Sequence, residues 1–319
     1  MKSEFALDLG MPHLGRNNLS ESALFKAIGN DRWRQIQTVG KTPTSLIQDD
    51  AGSRLYATFF FLEVNFTPEH PLAAHGENET MSFATDLSHY GQVYLDGKHC
   101  LVDAPEFWVR SSNVFIYQAG GPSKLSMSIP ANMDFREIPE LPTQPDSLML
   151  CRLARTRGAF FDPESDDVDV FPGEREFTYR LDVDRDLNGA GLVYFANFIS
   201  FLDIAERGVL AKLDHEIPPS VLDARSTYRR RVGYYGNAQS NDSLRIRVKA
   251  RMRGLDDARH GRLIDMGFDY RISRASDDKE ILISSSRKVS PMPAGSPDAA
   301  WFDAMMSRPR SRAAATTND

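Results

Sequence analysis

The stretch Asn188-Gly-Ala-Gly-Leu-Val-Tyr-Phe-Ala-Asn-Phe-Ile-Ser-Phe-Leu-Asp-Ile-Ala-Glu-Arg-Gly208 decides the fold. Gly189 and Gly191 are separated by one residue. Such a pair permits backbone angles that side chains forbid and lets a ligand approach the main chain closely. An apolar helix follows at once. Phe195, Phe198, Ile199, Leu202 and Ala205 recur at helical spacing, and Phe201 and Ile204 widen the stripe until little of the circumference is polar. A helix of that kind is buried, so the spacing predicts a central helix over 195–207. After the polar pair Glu206 and Arg207, Gly208 stands where a left-handed C-terminal cap is usual.

Around this stretch lies a chain of 319 residues, 41% hydrophobic and 26% charged, which suits one large or two medium domains with a sizeable core. No apolar run approaches the roughly eighteen residues of a membrane span. Met1 to Met11 has neither a basic start nor an apolar signal core, so a cytoplasmic location is expected, with no membrane partner. Cys100 and Cys151 are too few for a disulfide framework or a four-cysteine zinc site. The net charge of -6 argues against a general nucleic-acid binder.

Taken in order, Asn18-Leu-Ser-Glu21 reads as an N-cap with a glutamate three positions on. Ala23, Leu24, Phe25, Ala27 and Ile28 form the apolar side of a short helix that Gly29 closes. Arg54 to Phe66 is rich in aromatic and branched residues and predicts a strand ended by Pro68 and Pro71. Short strands follow near 81–87, 92–95 and 113–118. Pro139, Pro142 and Pro145 mark a connection, and the acidic run from Asp162 to Glu176 an exposed loop. Beyond the central helix, 228–235, 243–252, 263–272 and 280–285 are strand-like. Residues 308–319 are expected to be disordered. The order of cap, apolar helix and about four antiparallel strands thus occurs twice. This divides the chain into 1–145, 146–305 and a tail from 306.

An acidic or amide residue, a glycine turn, then Val193-Tyr-Phe-Ala-Asn-Phe198 and an apolar helix resembles the hot-dog fold of acyl-thioester enzymes, in which an antiparallel sheet wraps a long helix. The expected class is therefore α+β, a double hot-dog. Against the pattern D-x-D-x-x-G-x-V-Y of the 4-hydroxybenzoyl-CoA thioesterase branch, Asn188 stands at the catalytic aspartate and Asp186 at the earlier acidic position. An amide is no base or nucleophile, but it can donate a hydrogen bond to a thioester oxygen. The wider set Gly10-Met-Pro-His13, Gly52-Ser-Arg-Leu-Tyr-Ala-Thr-Phe59, Asp186 to Phe198 and Tyr235-Gly-Asn-Ala238 resembles the bifunctional acyltransferase/decarboxylase family of leinamycin biosynthesis. That resemblance implies decarboxylation of methylmalonyl-CoA and delivery of propionyl to an acyl carrier protein in polyketide biosynthesis. Acyl-CoA and the carrier are then the partners. It also implies a catalytic tyrosine in a G-x-x-x-Y context, which Tyr56 matches, with Tyr90 and Tyr94 as alternatives. A homodimer is left open. Competing classes are a thioesterase or dehydratase and a non-catalytic acyl-thioester-binding protein.

Decarboxylating a malonyl thioester needs no metal or organic cofactor, because the thioester carbonyl accepts the electrons left behind. The protein must then stabilise an enolate. The backbone amides of Gly191 and Leu192, at an expected helix N-terminus, together with the Asn188 amide, are candidate donors, and Tyr194 is a candidate substrate contact. The plainer alternative is that Asn188 forms an Asx turn. An ordinary phenol, of pKa about 10, is phenolate in roughly one molecule per thousand at neutral pH, so Tyr56 reads as a donor rather than a nucleophile. His13, His70, His75, His89 and His99 show no metal-ligand spacing, and no metal is expected.

Finally, strict alternation from Leu244 puts Arg245, Arg247, Lys249, Arg251 and Arg253 on one face of a strand and Leu244, Ile246, Val248, Ala250 and Met252 on the other. The basic stripe is either a solvated face neutralised by acidic neighbours or a contact for the carrier or the coenzyme A phosphates.

Overall fold

The structure, a computed structural model, describes residues 2–120, 124–213, 217–257, 261–292 and 298–307. Ten main strands are β1 (Lys2–Asp8), β2 (Tyr56–Asn65), β3 (Thr80–Asp86), β4 (Tyr94–Leu101), β5 (Trp108–Gln118), β6 (Arg175–Arg180), β7 (Ser226–Tyr234), β8 (Ser243–Asp257), β9 (Gly261–Arg274) and β10 (Glu280–Met292). The main helices are α1 (Glu21–Gly40), α2 (Asp146–Arg157) and α3 (Asn197–Leu210).

The main strands join in one antiparallel sheet in the order β1-β3-β4-β5-β2-β7-β10-β9-β8-β6, with three short strands attached. Outward from the centre, β2-β5-β4-β3-β1 and β7-β10-β9-β8-β6 follow one scheme. In each set a helix is threaded between the first two strands of the chain, α1 in one and α3 in the other. This is the double hot-dog, with both helices on the inner face of a continuous sheet. The expected alternation of β8 holds: Leu244, Ile246, Val248, Ala250 and Met252 are all fully buried, and β8 packs against α3. Apart from Ala250, each such side chain contributes about 1.5–3 kcal/mol by leaving water. Leu24, Phe25 and Ile28 of α1 join Phe198, Ile199 and Leu202 of α3 in one contiguous core.

Both expected glycine stops lie inside helices. α1 continues past Gly29 to Gly40, and α3 past Gly208 to Leu210. A Cβ on Gly29 would stand 2.6 Å from the Phe195 ring, and one on Gly208 2.5 Å from the Phe177 ring. These glycines therefore permit close packing and do not terminate anything. The expected capping box is also absent. Ser20 is the N-cap, Asn18 (φ 55°) sits in a hairpin turn, and Glu21 turns inward to Arg230 and Thr227. α2, which the sequence reading passed over, follows Pro145 and packs Cys151 and Ala154 inward. Val168–Asp169, within the acidic loop, adds a short strand to β8. The tail expected from residue 306 begins at Met306, the last residue of a helix Asp298–Met306, and 308–319 lie outside the described residues.

The two halves meet along a short seam. β2 and β7 pair from Phe61↔Gly233 to Asn65↔Arg229, so among the described residues Tyr56–Phe60 have β5 on one side and no strand on the other. A bulge at Phe60 shifts the β2–β5 register at the same point, and β7–β10 has its counterpart at Tyr228. Bulges re-aim side chains and bend the strand that carries them.

Candidate functional site

A cavity of about 670 Å³ occupies the opening between the start of β2 and the end of β7. Its buried floor is aromatic: Phe59, Phe195 and Phe198, with Trp33 beside them. Phe195 is held by Phe59 at 4.2 Å and Trp33 at 6.0 Å between ring centroids, and the Trp33 indole N–H donates to the Ala57 carbonyl at 3.1 Å. Half-buried above the floor are Tyr56, Tyr194, Tyr234, Tyr235 and Asn237, and Asn188 lies at the surface. Residues from both halves of the sheet therefore build one site.

Of the sequence candidates, Tyr56, Asn188, Leu192 and Tyr194 all line this cavity. Tyr90 and Tyr94 do not, and the Tyr94 hydroxyl donates to the Met127 sulfur at 3.3 Å. The four lining tyrosines differ in what their hydroxyls do. Tyr234 donates to the Phe195 carbonyl at 3.1 Å and Tyr235 to the Cys151 carbonyl at 2.8 Å. The hydroxyls of Tyr56 and Tyr194 have no hydrogen-bond partner among the described residues, which leaves both free for a ligand. Burial pushes the Tyr194 phenol up to about 12, so it remains a proton carrier at neutral pH. The Arg54 guanidinium lies 4.8 Å from the Tyr56 ring centroid.

The turn around Asn188 is the Asx turn weighed as the plainer alternative. Asn188 Oδ1 accepts from Ala190 N at 2.9 Å and Leu192 N at 3.2 Å, while Gly191 N donates to the Asn188 carbonyl at 2.9 Å. Gly191 adopts φ +72°, which explains a glycine there. The amides of Gly191 and Leu192 are thus spent inside the turn, and α3 begins only at Asn197. They are not the helix-start oxyanion donors that the sequence suggested. Two N–H groups fix the Asn188 oxygen, so its NH2 is the end left over, with no partner among the described residues. Asn237 clamps the following residue, accepting from Val193 N at 2.9 Å and donating to its carbonyl at 3.2 Å. Gln118 donates to the Ala190 carbonyl at 3.1 Å and ties the turn to β5.

Asp186, the remaining acid of the motif, is not in the cavity. It is buried and accepts from the Tyr179 hydroxyl at 3.0 Å, Asp182 N at 2.9 Å and Arg185 Nε at 3.0 Å. Burial alone would raise its pKa, and these donors hold it below the usual carboxylate value. Among the described residues, the lining includes no aspartate, glutamate, histidine or cysteine. His99 is sealed in the first half beside Asp31 Oδ2 at 3.0 Å, and burial lowers its pKa to about 4. No group of three or more histidine, cysteine, aspartate or glutamate side chains is arranged to hold a metal among the described residues.

The basic stripe on β8 lies elsewhere and is largely neutralised. Arg245 pairs with Asp278, Arg247 with Glu176 at 3.6 Å, Arg251 with Asp269 at 2.7 Å and Arg253 with Asp265 at 2.8 Å. Lys249 stands opposite Asp269 in register. None of the five lines the cavity. The cavity's own cations are Arg54, Lys124 and Lys279. Sequence reasoning missed these, because isolated loop cations carry no periodic signal. Tyr235 and Asn237 lay within the quoted Tyr235-Gly-Asn-Ala238 and were legible as motif, though not as wall.

No protein-family model matches the sequence, and no curated protein matches it. Solved structures do match its shape. A protein described as an oleoyl thioesterase from Lactobacillus plantarum superposes with a TM-score of 0.60 at 11% identity, over 92% of this chain and 97% of that one. An acyl-ACP thioesterase from Bacteroides thetaiotaomicron gives 0.51 at 12%, covering 90% and 97%. The 12:0-ACP thioesterase from Umbellularia californica gives 0.51 at 12%, covering 91% and 94%. At such identities the likeness is one of fold. The chain has the double hot-dog architecture of these thioesterases along nearly its whole length.

Proposed function

We propose that this protein is an enzyme acting on acyl thioesters of coenzyme A or an acyl carrier protein, with the chemistry in the seam cavity. The observation that carries the finer reading is the absence of carboxylate, imidazole and thiol from the described lining, where hydrogen-bond donors stand instead. Hydrolysis needs a base for water or a nucleophile of its own. Decarboxylation of a malonyl-type thioester needs neither. The bond between Cα and the carboxylate breaks, CO2 leaves, and its electron pair passes to the thioester carbonyl as an enolate. Donors such as the Asn188 NH2 and the Tyr56 hydroxyl stabilise the enolate oxygen. Cα then takes a proton, from the Tyr194 phenol, which water reprotonates, or from water directly; the acyl group then passes to a carrier thiol as its bond to the coenzyme A sulfur breaks, and the carrier thiol's proton leaves with coenzyme A. The resemblance to the leinamycin-type family, with methylmalonyl-CoA as substrate and propionyl-carrier as product, fits this chemistry.

A second reading is a thioesterase. The names of the structural neighbours favour it over decarboxylation, and an aromatic floor suits an acyl chain equally well. Incubating the purified protein with methylmalonyl-, malonyl-, propionyl- and lauroyl-CoA, and weighing the products by mass spectrometry, separates the two. Loss of CO2 from the first two, with propionyl- and lauroyl-CoA intact, supports decarboxylation. Free coenzyme A from propionyl- or lauroyl-CoA, with the malonyl carboxylates retained, supports hydrolysis.

A further inference from the structure

The cavity carries three cations and, among the described residues, no anion in its lining. Arg54 leads into β2, Lys124 follows β5, and Lys279 lies in the turn between β9 and β10. Three separate loops from both halves thus bring positive charge to one opening. All three side chains are exposed, whereas the phenols below them are half-buried and the phenylalanines lower still are buried. Among the described residues none of the three forms an ion pair, although the chain has 44 acidic residues against 38 basic ones. The β8 stripe shows the ordinary outcome in this protein, where four of five cations meet a carboxylate. Lys279 has Asp277 near enough to act on it electrostatically, so the charge of Arg54 and Lys124 is the less compensated part, and like charges gathered at one opening raise the local potential and draw anions to that spot.

We propose that Arg54, Lys124 and Lys279 form a phosphate-binding rim that seats the phosphorylated end of a pantetheine arm. The proposal rests on the reading of the cavity as a thioester site. Depth gives the order of contacts: the exposed cations and Asn188 at the mouth, the half-buried phenols of Tyr56 and Tyr194 in the neck, and aromatic rings at the floor. A phosphopantetheine thioester presents the same order, with phosphate, then amides, then thioester and acyl group. Coenzyme A and a carrier protein's prosthetic arm share that chemistry.

The test titrates the wild-type protein and a Lys124→Ala/Lys279→Ala variant with pantetheine, phosphopantetheine, coenzyme A and pyrophosphate by calorimetry. Arg54 is left in place because it stacks on Tyr56. Wild type is expected to bind phosphopantetheine about 10-fold more tightly than pantetheine, a preference that shrinks at high salt. The variant is expected to lose most of this preference while its affinity for pantetheine stays unchanged. Arg247→Ala/Lys249→Ala, on the β8 face, is expected to keep it. Equal affinity of coenzyme A and phosphopantetheine assigns the rim to the phosphate common to both, and tighter coenzyme A extends it to the nucleotide phosphates. A wild type without the preference, or a variant that keeps it, overturns the rim and leaves the thioester site standing. Binding of pyrophosphate alone, weakened in the variant, keeps the rim and overturns the thioester reading.

Discussion

Asn188 uses its two polar atoms for different ends. The oxygen organises the turn through Ala190 and Leu192, and the NH2 is left for the cavity. An aspartate here could accept the same two amides with one oxygen and present the other as a base. The motif pointed to this residue without revealing the division, because sequence shows which side chain stands at a turn but not which amides are consumed. The same limit put Gly191 and Leu192 forward as donors. The two free phenols make a prediction at this scale. Tyr56→Phe and Tyr194→Phe lose no internal hydrogen bond, so each is expected to fold with an unchanged melting temperature. Each is also expected to lower turnover about 10²-fold, the size of a lost donor or proton-transfer group. Steady-state kinetics beside thermal melts check both, and wild-type turnover in either variant removes that phenol from the chemistry. An acyl adduct mapping to Tyr56 in wild type would make it a nucleophile instead.

Among elements, strands were more legible than helix ends. The period-2 pattern of β8 names a face, and the pleat turns it inward as a unit. Helix α1 was cut short at Gly29 because a glycine after an apolar stripe reads locally as a stop. Its actual cause is tertiary, the Phe195 ring arriving from the other half of the molecule. Gly29→Ala therefore sets two effects against each other. Helix propensity favours alanine by about 1 kcal/mol, while overpacking against a ring fixed by Phe59 and Trp33 costs about 1–3 kcal/mol. The expected outcome is a net loss of stability of about 1 kcal/mol, read by denaturant titration. Because Phe195 is also cavity floor, weaker substrate binding should accompany it. A more stable variant would mean that Phe195 moves freely and is no fixed floor.

In the whole molecule, the repeated strand order creates two seam ends, and among the described residues one is lined as a cavity while the other is bridged. At the other, Phe66 N donates to the Tyr228 carbonyl at 2.7 Å and Ala73 N to Ser226 Oγ at 2.7 Å. Behind them Glu206 meets Arg225 and Lys288, each at 2.9 Å, and the Tyr270 hydroxyl, while Arg230 meets Glu21. Burial alone would raise the Glu206 pKa, and the two cations reverse that and hold it at about 2. A depressed carboxylate contributes stability that is present above its unfolded pKa, about 4.3, and lost as pH falls toward about 2. Glu206→Gln is accordingly expected to cost about 3–5 kcal/mol at neutral pH, by leaving Arg225 and Lys288 buried without their partner. It should also flatten the acid limb of the stability profile. An unaltered acid limb would detach this cluster from the pH dependence. The repeated order of elements was legible in the sequence, but which seam end stays open was not, since that depends on long-range pairs such as Glu21 with Arg230. At the open end we propose a thioester site that has no base among the described lining residues and carries out a reaction that needs none. The most direct test is to measure CO2 release and free-thiol release from methylmalonyl-CoA and propionyl-CoA by the wild-type protein and by Asn188→Asp. Base-free decarboxylation requires CO2 release without hydrolysis in wild type, and about 10²-fold slower CO2 release once a carboxylate faces the enolate. Wild-type hydrolysis of propionyl-CoA with the methylmalonyl carboxylate left intact would contradict it.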